Sequence, residues 1–540
     1  MKIAIVVQRY GADINGGAEL HARYVAEHLA PHVQVEILTT CATDYVTWRN
    51  SLPATVDSVH GLTVRRFPVS RERDPGEFGR WSERVFSQTH SLRDELSWLD
   101  AEGPTSPELI AYIDQHRDNF DFFIFFSFRY YHSYHGSRAI PAKAIVVPTA
   151  ERDAALGLQI FGPVFRGVRA LMYNSFEERA LIHAVSQNVD TPGVVVGVGS
   201  EIPDSVNAAR FRQKFGFRER FAVYVGRIDE NKGCKELFDF FQRYSQMMAE
   251  GMHLVLIGAP IIPVPDHTRV HHLGFVSDQD KFDAMAAAEL LIMPSYLESL
   301  SMVALEAWAL GKPVLANGKC DVLRGQCIRS NGGLYYENFE EFLETLRAID
   351  MGPALAGSLG RNGREYFAKH YSWPVIERKY LEMLDRLKRE TPRVPLEALP
   401  GWFARRRRTL EPAQQVVAGL PSGPALKEPE KPESAHPAAI PQPRPAQIPV
   451  TVAQSAAPRP ESEAREPSRQ VRTDFNRRPS QARDRRTHTG GPQRPPAGTK
   501  PRPDSEQGPP ASNSPAGRPP QRGPRRHRRG GPPRKPNNNR

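Results

Sequence analysis

The sequence predicts an α/β protein: two parallel-sheet domains in series, then a basic tail that reads as disordered. Three observations carry this. Short apolar runs alternate with amphipathic helical stretches across residues 1–390, and such alternation builds parallel sheets with helices on both faces. The alternation comes in two series, separated at Pro192–Asp204, where Gly and Pro cluster. From Thr391 the pattern stops. Of the 49 prolines, 31 fall in residues 391–540, and too little apolar surface remains there to offset chain entropy.

In order along the chain, Lys2–Val7 reads as a buried strand, Ala18–Leu29 as a helix and Val33–Leu38 as the next strand. Phe122–Phe126, Lys143–Val147 and Ala170–Tyr173 continue the first series. The second series begins at Phe221–Val225 and runs through His253–Ile257, Leu290–Met293 and Pro313–Leu315. Helical stretches Lys235–Ala249, Lys281–Ala288 and Met302–Leu310 fall between these strands. The expected divisions are residues 1–195, residues 196–372, a closing helix over 373–390 and the tail over 391–540. Ligands of such sheets bind beyond the carboxyl ends of the strands, so the loops after strands are where chemistry is expected.

The formal net charge of +11 conceals an uneven distribution. Residues 391–540 hold 29 of the 72 Lys/Arg and 12 of the 61 Asp/Glu, a net of +17, which leaves residues 1–390 at −6. A basic balance suggests polyanionic partners, and here it does so for the tail alone. Four cysteines in 540 residues make no disulfide framework. The N-terminal apolar run is shorter than the core of a signal peptide, and no apolar run reaches the ~18 residues of a membrane span. A cytoplasmic protein is expected, soluble or peripheral at the inner face of the membrane.

Three loops carry candidate chemistry. Gln8 to Gly17 follows the first strand and precedes a helix. There, Gly16 and Gly17 admit a ligand close to the backbone, and the helix start offers free N–H groups to an anion. The loop lacks both the Walker and the dinucleotide spacing, and read alone it is equally a tight turn. In Tyr224 to Gly233 a strand ends at Gly226, and Arg227 and Lys232 follow in the loop. A departing diphosphate needs such cations, because charge builds on its oxygens as the sugar bond breaks. Arg clamps two oxygens and Lys supplies a compact charge. In Met293 to Ala307, Glu298 lies in the loop after a strand and Glu306 inside the apolar helix that follows. Carboxylates accept from pairs of sugar hydroxyls, and a Glu flanked by Ala304, Leu305, Ala307 and Trp308 asks for a ligand, unless it faces solvent or pairs with a basic residue.

The order of these motifs, from Gly16-Gly17 through Gly226-Arg227, Lys232-Gly233, Pro294-Ser295, Glu298 and Glu306 to Ala309–Val314, resembles glycosyltransferase family 4. The resemblance covers about residues 1–390 and is most specific between Tyr224 and Val314. It implies the GT-B fold, in which two Rossmann-like domains face a cleft, and transfer with retention from a nucleoside diphosphate sugar, without a metal or other cofactor. It also implies that Arg227 and Lys232 hold the donor diphosphate, with Gly226 at the start of their loop. Glu298 then binds donor-sugar hydroxyls, the backbone of Ser299, Leu300, Ser301 and Met302 lies near sugar and phosphate, and Glu306 binds the ribose. Gly16 and Gly17 face the donor and acceptor from the first domain. Arg227, Lys232 and Glu298 are the residues expected to carry catalysis.

The chain departs from the family pattern in two places. Ser299-Leu300-Ser301 stands where Gly-Phe-Gly is frequent. Many relatives carry a His in the first domain near the reacting sugar, and the best local match, Pro148 to Asp153, has Glu151 there. His132 and His135 are nearby in sequence, so Glu151, His132 and His135 are the acceptor-side candidates. Asp278-Gln279-Asp280 matches a metal-binding signature, but Ser277 before it and an apolar-periodic helix after it read as a helix cap.

The expected activity is sugar transfer to a saccharide or lipid-linked acceptor in cell-surface polysaccharide or lipopolysaccharide assembly. The rivals are a scaffold that uses the tail beside an inactive module, and a sugar-nucleotide epimerase of the same fold. The tail carries the runs Arg405–Arg408 and Arg525–Arg529, with Trp402, Phe403 and Phe475 as the only aromatics beyond Tyr380. Arginine without aromatics favours weak phosphate contact, with anionic membrane or RNA, over reading of bases.

Overall fold

The computed structural model describes residues 1–14, 16–392 and 409–425. Among the described residues, fourteen strands form two sheets. The first comprises β1 (Lys2–Val6), β2 (Gln34–Thr40), β3 (Val56–Val59), β4 (Leu62–Phe67), β5 (Phe122–Phe126), β6 (Ala144–Val147), β7 (Ala170–Tyr173) and β8 (Gly193–Val195). Their spatial order is β3-β4-β2-β1-β5-β6-β7-β8. All pairings are parallel except that of β3 with β4. The second sheet comprises β9 (Phe221–Val225), β10 (His253–Ile257), β11 (Val270–His272), β12 (Leu290–Met293), β13 (Val314–Asn317) and β14 (Gly333–Tyr336), in the order β11-β10-β9-β12-β13-β14 and wholly parallel.

The central strands are apolar end to end because helices cover both faces. Phe-Phe-Ile-Phe-Phe of β5 and Leu-Leu-Ile-Met of β12 are buried at every position. Helix Trp373–Arg389 leaves the second domain and returns to the first. Trp373 stacks on His28 of helix Gly17–Leu29 at 3.7 Å, Arg169 Nη2 donates to the carbonyls of Leu387 and Glu390 at 2.7 Å, and Lys388 pairs with Asp121 at 3.2 Å. Among the described residues no helix is long and apolar enough to cross a membrane. Cys41, Cys234, Cys320 and Cys327 are buried, free thiols.

One segment departs from the expected course. Residues 409–425 lie within the tail expected to be disordered, yet they pack against the first domain, with Ala413 and Val417 of the short helix Ala413–Ala418 buried. Leu410, Ala413, Val417 and Leu420 recur at three- and four-residue spacing, an apolar helical stripe that the proline-rich average concealed. The rest of the tail expectation, with the runs Arg405–Arg408 and Arg525–Arg529, lies outside the described residues.

Candidate active site

The two domains enclose a cleft of about 810 Å³ at the carboxyl ends of their strands, where open α/β sheets bind ligands. A hollow of similar size, lined by Lys2, Gln34 and Glu36 at the opposite end of β1 and β2, holds a charged pair that is already satisfied, Lys2 with Glu36 at 3.0 Å.

The second-domain wall follows the motifs. The chain leaves β9 at Gly226 and returns as helix Cys234–Met247, with Gly233 at φ +71° as its N-cap. A methyl group at Gly233 would strike the Pro294 carbonyl, so the two loops of this wall pack backbone to backbone. Asp229 organises the loop between them. Its carboxylate takes the Arg227 guanidinium and accepts from Lys232 N at 2.9 Å. Lys232 Nζ reaches Glu298 Oε1 at 2.7 Å. Burial pulls the Lys232 ammonium down, but the facing Glu298 charge and its hydrogen bond outweigh this and raise it. Arg227 is about half exposed, at 47%, and among the described residues its guanidinium reaches, beyond Asp229, only Tyr45 Oη, at 3.5 Å, so it keeps donors free for a ligand. Ser301, at φ +73°, caps helix Met302–Ala309 and accepts from Ala304 N at 3.4 Å. Ser299, Leu300, Ser301 and Met302 all line the cleft.

Glu306 sits one turn into that helix, buried, with Oε1 3.2 Å from Lys281 Nζ. Its Oε2 is buried and has no hydrogen-bond partner among the described residues. Burial raises its pKa, and Lys281 opposes the rise. One oxygen of Glu306 thus pairs with a base, as one of the two sequence readings expected, and the other is left without a partner among the described residues. The Asp278/Asp280 motif is a helix start. Ser277 caps helix Asp278–Ala287, accepting from Asp280 N at 3.2 Å, and Lys214 holds the Asp280 carboxylate at 2.7 and 2.8 Å.

The first-domain wall is built differently. Gly16 is the N-cap of helix Gly17–Leu29, where no side chain of the described residues makes a capping hydrogen bond, and a Cβ there would collide with Glu19 and Arg9. Gly16 and Gly17 line the cleft, so the uncapped start of this helix faces it. Glu151 also faces the cleft, opposite Glu298 and Lys232. Burial, then the Glu298 charge, push its carboxyl up to about 7, while Lys232 pulls the other way. The structure brings neither His132 nor His135 to the cleft. His132 is buried on helix Tyr131–Ala139 with Nε2 3.4 Å from the Phe126 carbonyl, and His135 packs against Tyr131 and Tyr134.

Sequence reasoning missed most of this wall. Arg9 is tied to Glu19 at 2.6 and 2.7 Å, and Arg129 to Glu102 at 2.9 Å and Asp153 at 2.8 Å. His21 lines the cleft with a buried, unpartnered Nε2, and burial drives its pKa to about 3, so it is a neutral imidazole. Asn174 Oδ1 is buried, unpartnered and at the cleft. Fully buried Glu178 ties the loops after β6 and β7 together, accepting from Ala150 N at 2.6 Å and from Asn174 N. The only sequence signal for these groups was their position after strands or at a helix start.

Two facing α/β domains, a shared cleft at their strand ends and a returning C-terminal helix define a GT-B-fold protein. Solved structures agree on the fold. Sucrose-phosphate synthase from Thermosynechococcus elongatus matches 72% of this chain and 98% of its own, with TM-score 0.53 and 18% identity. A trehalose-6-phosphate structure from E. coli, bound with UDP-2-fluoro glucose, matches 73% and 100%, with TM-score 0.55 and 12% identity. Residues 219–349 match the family described as "Glycosyl transferases group 1", in accord with the family 4 resemblance. Mannosylfructose-phosphate synthase of Agrobacterium fabrum is 25% identical over 194 residues, 32% of this chain and 42% of that protein. The chain spans less than half the length of the curated relatives it matches.

Proposed function

We propose that the protein transfers a sugar, with retention, from a nucleoside diphosphate sugar to a hydroxyl of a saccharide or lipid-linked acceptor in cell-surface polysaccharide or lipopolysaccharide assembly. The observation that carries this reading is the cleft itself. Arg227 and Lys232, both with spare donors, line it on one side, and the open N-terminus of helix Gly17–Leu29 lines it on the other. This arrangement suits a diphosphate leaving group. In the reaction the bond from the anomeric carbon to the phosphate oxygen breaks, and the acceptor oxygen bonds to the same face. The acceptor's proton passes to the departing phosphate, whose charge Arg227 and Lys232 hold. Glu298 orients donor hydroxyls, the free Oε2 of Glu306 accepts from the ribose, and Glu151 meets the acceptor side in place of a histidine. UDP-2-fluoro glucose in the E. coli relative supports a uridine donor.

No metal is required in this reading, because the chain's own cations hold the diphosphate, and turnover should persist in excess chelator. A cytoplasmic setting, with the tail adding weak contact to anionic membrane, belongs to the same proposal. The test is a panel of nucleotide sugars with saccharide and lipid-linked acceptors, with the product anomer read by NMR. Transfer with retained configuration supports the reading. Failure to bind or turn over any nucleotide sugar sinks it.

A further inference from the structure

The packed part of the tail touches the loop that carries Glu151. Leu410 and His90 exchange both backbone hydrogen bonds, at 3.1 and 2.6 Å. His90 Nε2 lies 2.9 Å from Glu95 Oε1, and the buried Glu95 carboxylate accepts from Gln159 N and Ile160 N at 3.1 and 2.9 Å. Ala413 is fully buried, and a methyl group at Gly157 would strike the Ala413 carbonyl. Arg152 gathers the following stretch: Nη1 donates to the carbonyls of Val417 and Leu420, each at 3.3 Å, and Nη2 donates to the Pro421 carbonyl and to Asp321 Oδ2, the latter at 3.0 Å. The segment then reaches the second domain, where Gly423 N donates to Asp321 Oδ1 at 3.0 Å and Arg329 Nη1 donates to the Ala425 carbonyl at 2.9 Å. Arg329 is itself paired with Glu177 of the first domain, at 2.5 Å.

The residues on either side of Arg152 do other work. Glu151 faces the cleft, and Asp153 takes Arg129, another cleft residue. Two residues before Glu151, Thr149 has φ +49°, a conformation that a β-branched residue keeps only when its surroundings enforce it. The loop is therefore held from two sides, by Glu178 at Ala150 and by the 409–425 segment at Arg152 and Gly157.

We propose that residues 409–425 are a strap that positions the 149–153 loop for transfer, with Arg152 as the positioning residue that couples strap to loop. This rests on the reading of the cleft as a transferase site. It also replaces the expectation that everything beyond the closing helix is a separate, unfolded appendage.

The test uses the full-length chain with Ala413→Asp, which puts a carboxylate into the strap's buried seat, and with Arg152→Gln, whose partly exposed side chain leaves the core untouched. Hydrogen exchange is read over 409–421 and 149–158, with 226–233 as the control. Kinetics are read with a nucleotide sugar that the wild type turns over. Both variants should lose protection over 149–158 but not over 226–233. In both, kcat should fall by about tenfold to a hundredfold, the range a misplaced group costs, with donor KM within about twofold. The limb of the pH profile that belongs to Glu151 should move down, toward the ordinary carboxylate range. If Ala413→Asp fails to fold, Arg152→Gln decides alone. A released strap with 149–158 protection, kcat and pH profile unchanged would overturn the proposal. If the wild type turns over no nucleotide sugar, it is the transferase reading that has failed, and the exchange data still decide whether strap and loop are coupled.

Discussion

The two walls of the cleft carry similar residues in opposite states. On the first-domain wall the arginines are locked. Arg9 spends its donors on Glu19 and the Thr43 carbonyl, and Arg129 on Glu102 and Asp153. On the second-domain wall Arg227 is half exposed, and among the described residues Lys232 Nζ pairs with Glu298 alone, leaving two of its three N–H groups for a ligand. Locked cations shape a wall, whereas cations with spare donors bind anions. Within the proposed function, this contrast places the diphosphate's cationic contacts on the second domain, with the helix start at Gly16 and Gly17 facing them, and leaves Glu151 as the titratable group of a charge-balanced acceptor side.

The largest effect that could break this assignment is at Lys232. Lys232→Ala removes a charge-stabilising donor and should lower turnover by ~100-fold or more, measured as kcat with saturating donor. Unchanged turnover would remove the second wall's claim to the diphosphate. Next comes Glu306, whose free oxygen is predicted to accept from the donor's ribose. Glu306→Ala should raise donor KM by about tenfold or more, the loss of a hydrogen bond to a charged group, with acceptor KM unchanged. An effect on acceptor KM instead would mean that the walls have been assigned the wrong way round.

Glu151 sharpens the first wall. With its carboxyl near 7, it holds a proton below that pH and is charged above it. If the protonated form donates to substrate, kcat/KM falls as pH rises through about 7. Glu151→Gln keeps a donor at every pH, so it should retain activity within about tenfold and flatten that limb. A limb that survives in Glu151→Gln belongs to another group.

The asymmetry between the walls also explains what the sequence could reveal. The second wall is written in two short stretches, Gly226 to Gly233 and Pro294 to Glu306, each a strand end, a loop and a helix start, so chemistry and local structure share one window. The first wall gathers Arg9, His21, Tyr45, Arg129, Glu151 and Asn174, which share no single window and meet because β1, β2, β5, β6 and β7 end together. The buried central strands were legible as apolar runs. The edge strand β3, Val-Asp-Ser-Val with three exposed positions, was not, because an antiparallel edge needs no apolar run. The strap was missed because four apolar residues at helical spacing were averaged into a proline-rich tail.

The smallest expected effect lies where the first domain meets the returning helix. His28 of helix Gly17–Leu29 stacks on Trp373, with Nδ1 2.7 Å from Glu377 and Nε2 2.6 Å from Glu201, one carboxylate on the returning helix and the other on the linker between domains. Burial alone would lower its pKa, but the two carboxylates outweigh it and raise it. A histidine whose folded pKa lies above its unfolded value adds stability that is fully present below the unfolded value, and that stability is lost as pH rises through the folded one. His28→Gln should therefore cost stability in the acidic range and little at high pH. The loss should be at most about 1 kcal/mol, since partly exposed ion pairs contribute no more. Urea unfolding of wild type and variant across pH 5 to 8.5 reads the difference directly. A difference that is flat with pH would show that His28 holds the domains by stacking on Trp373 alone. One that grows toward high pH would reverse the sign and remove the charged bridge from the account.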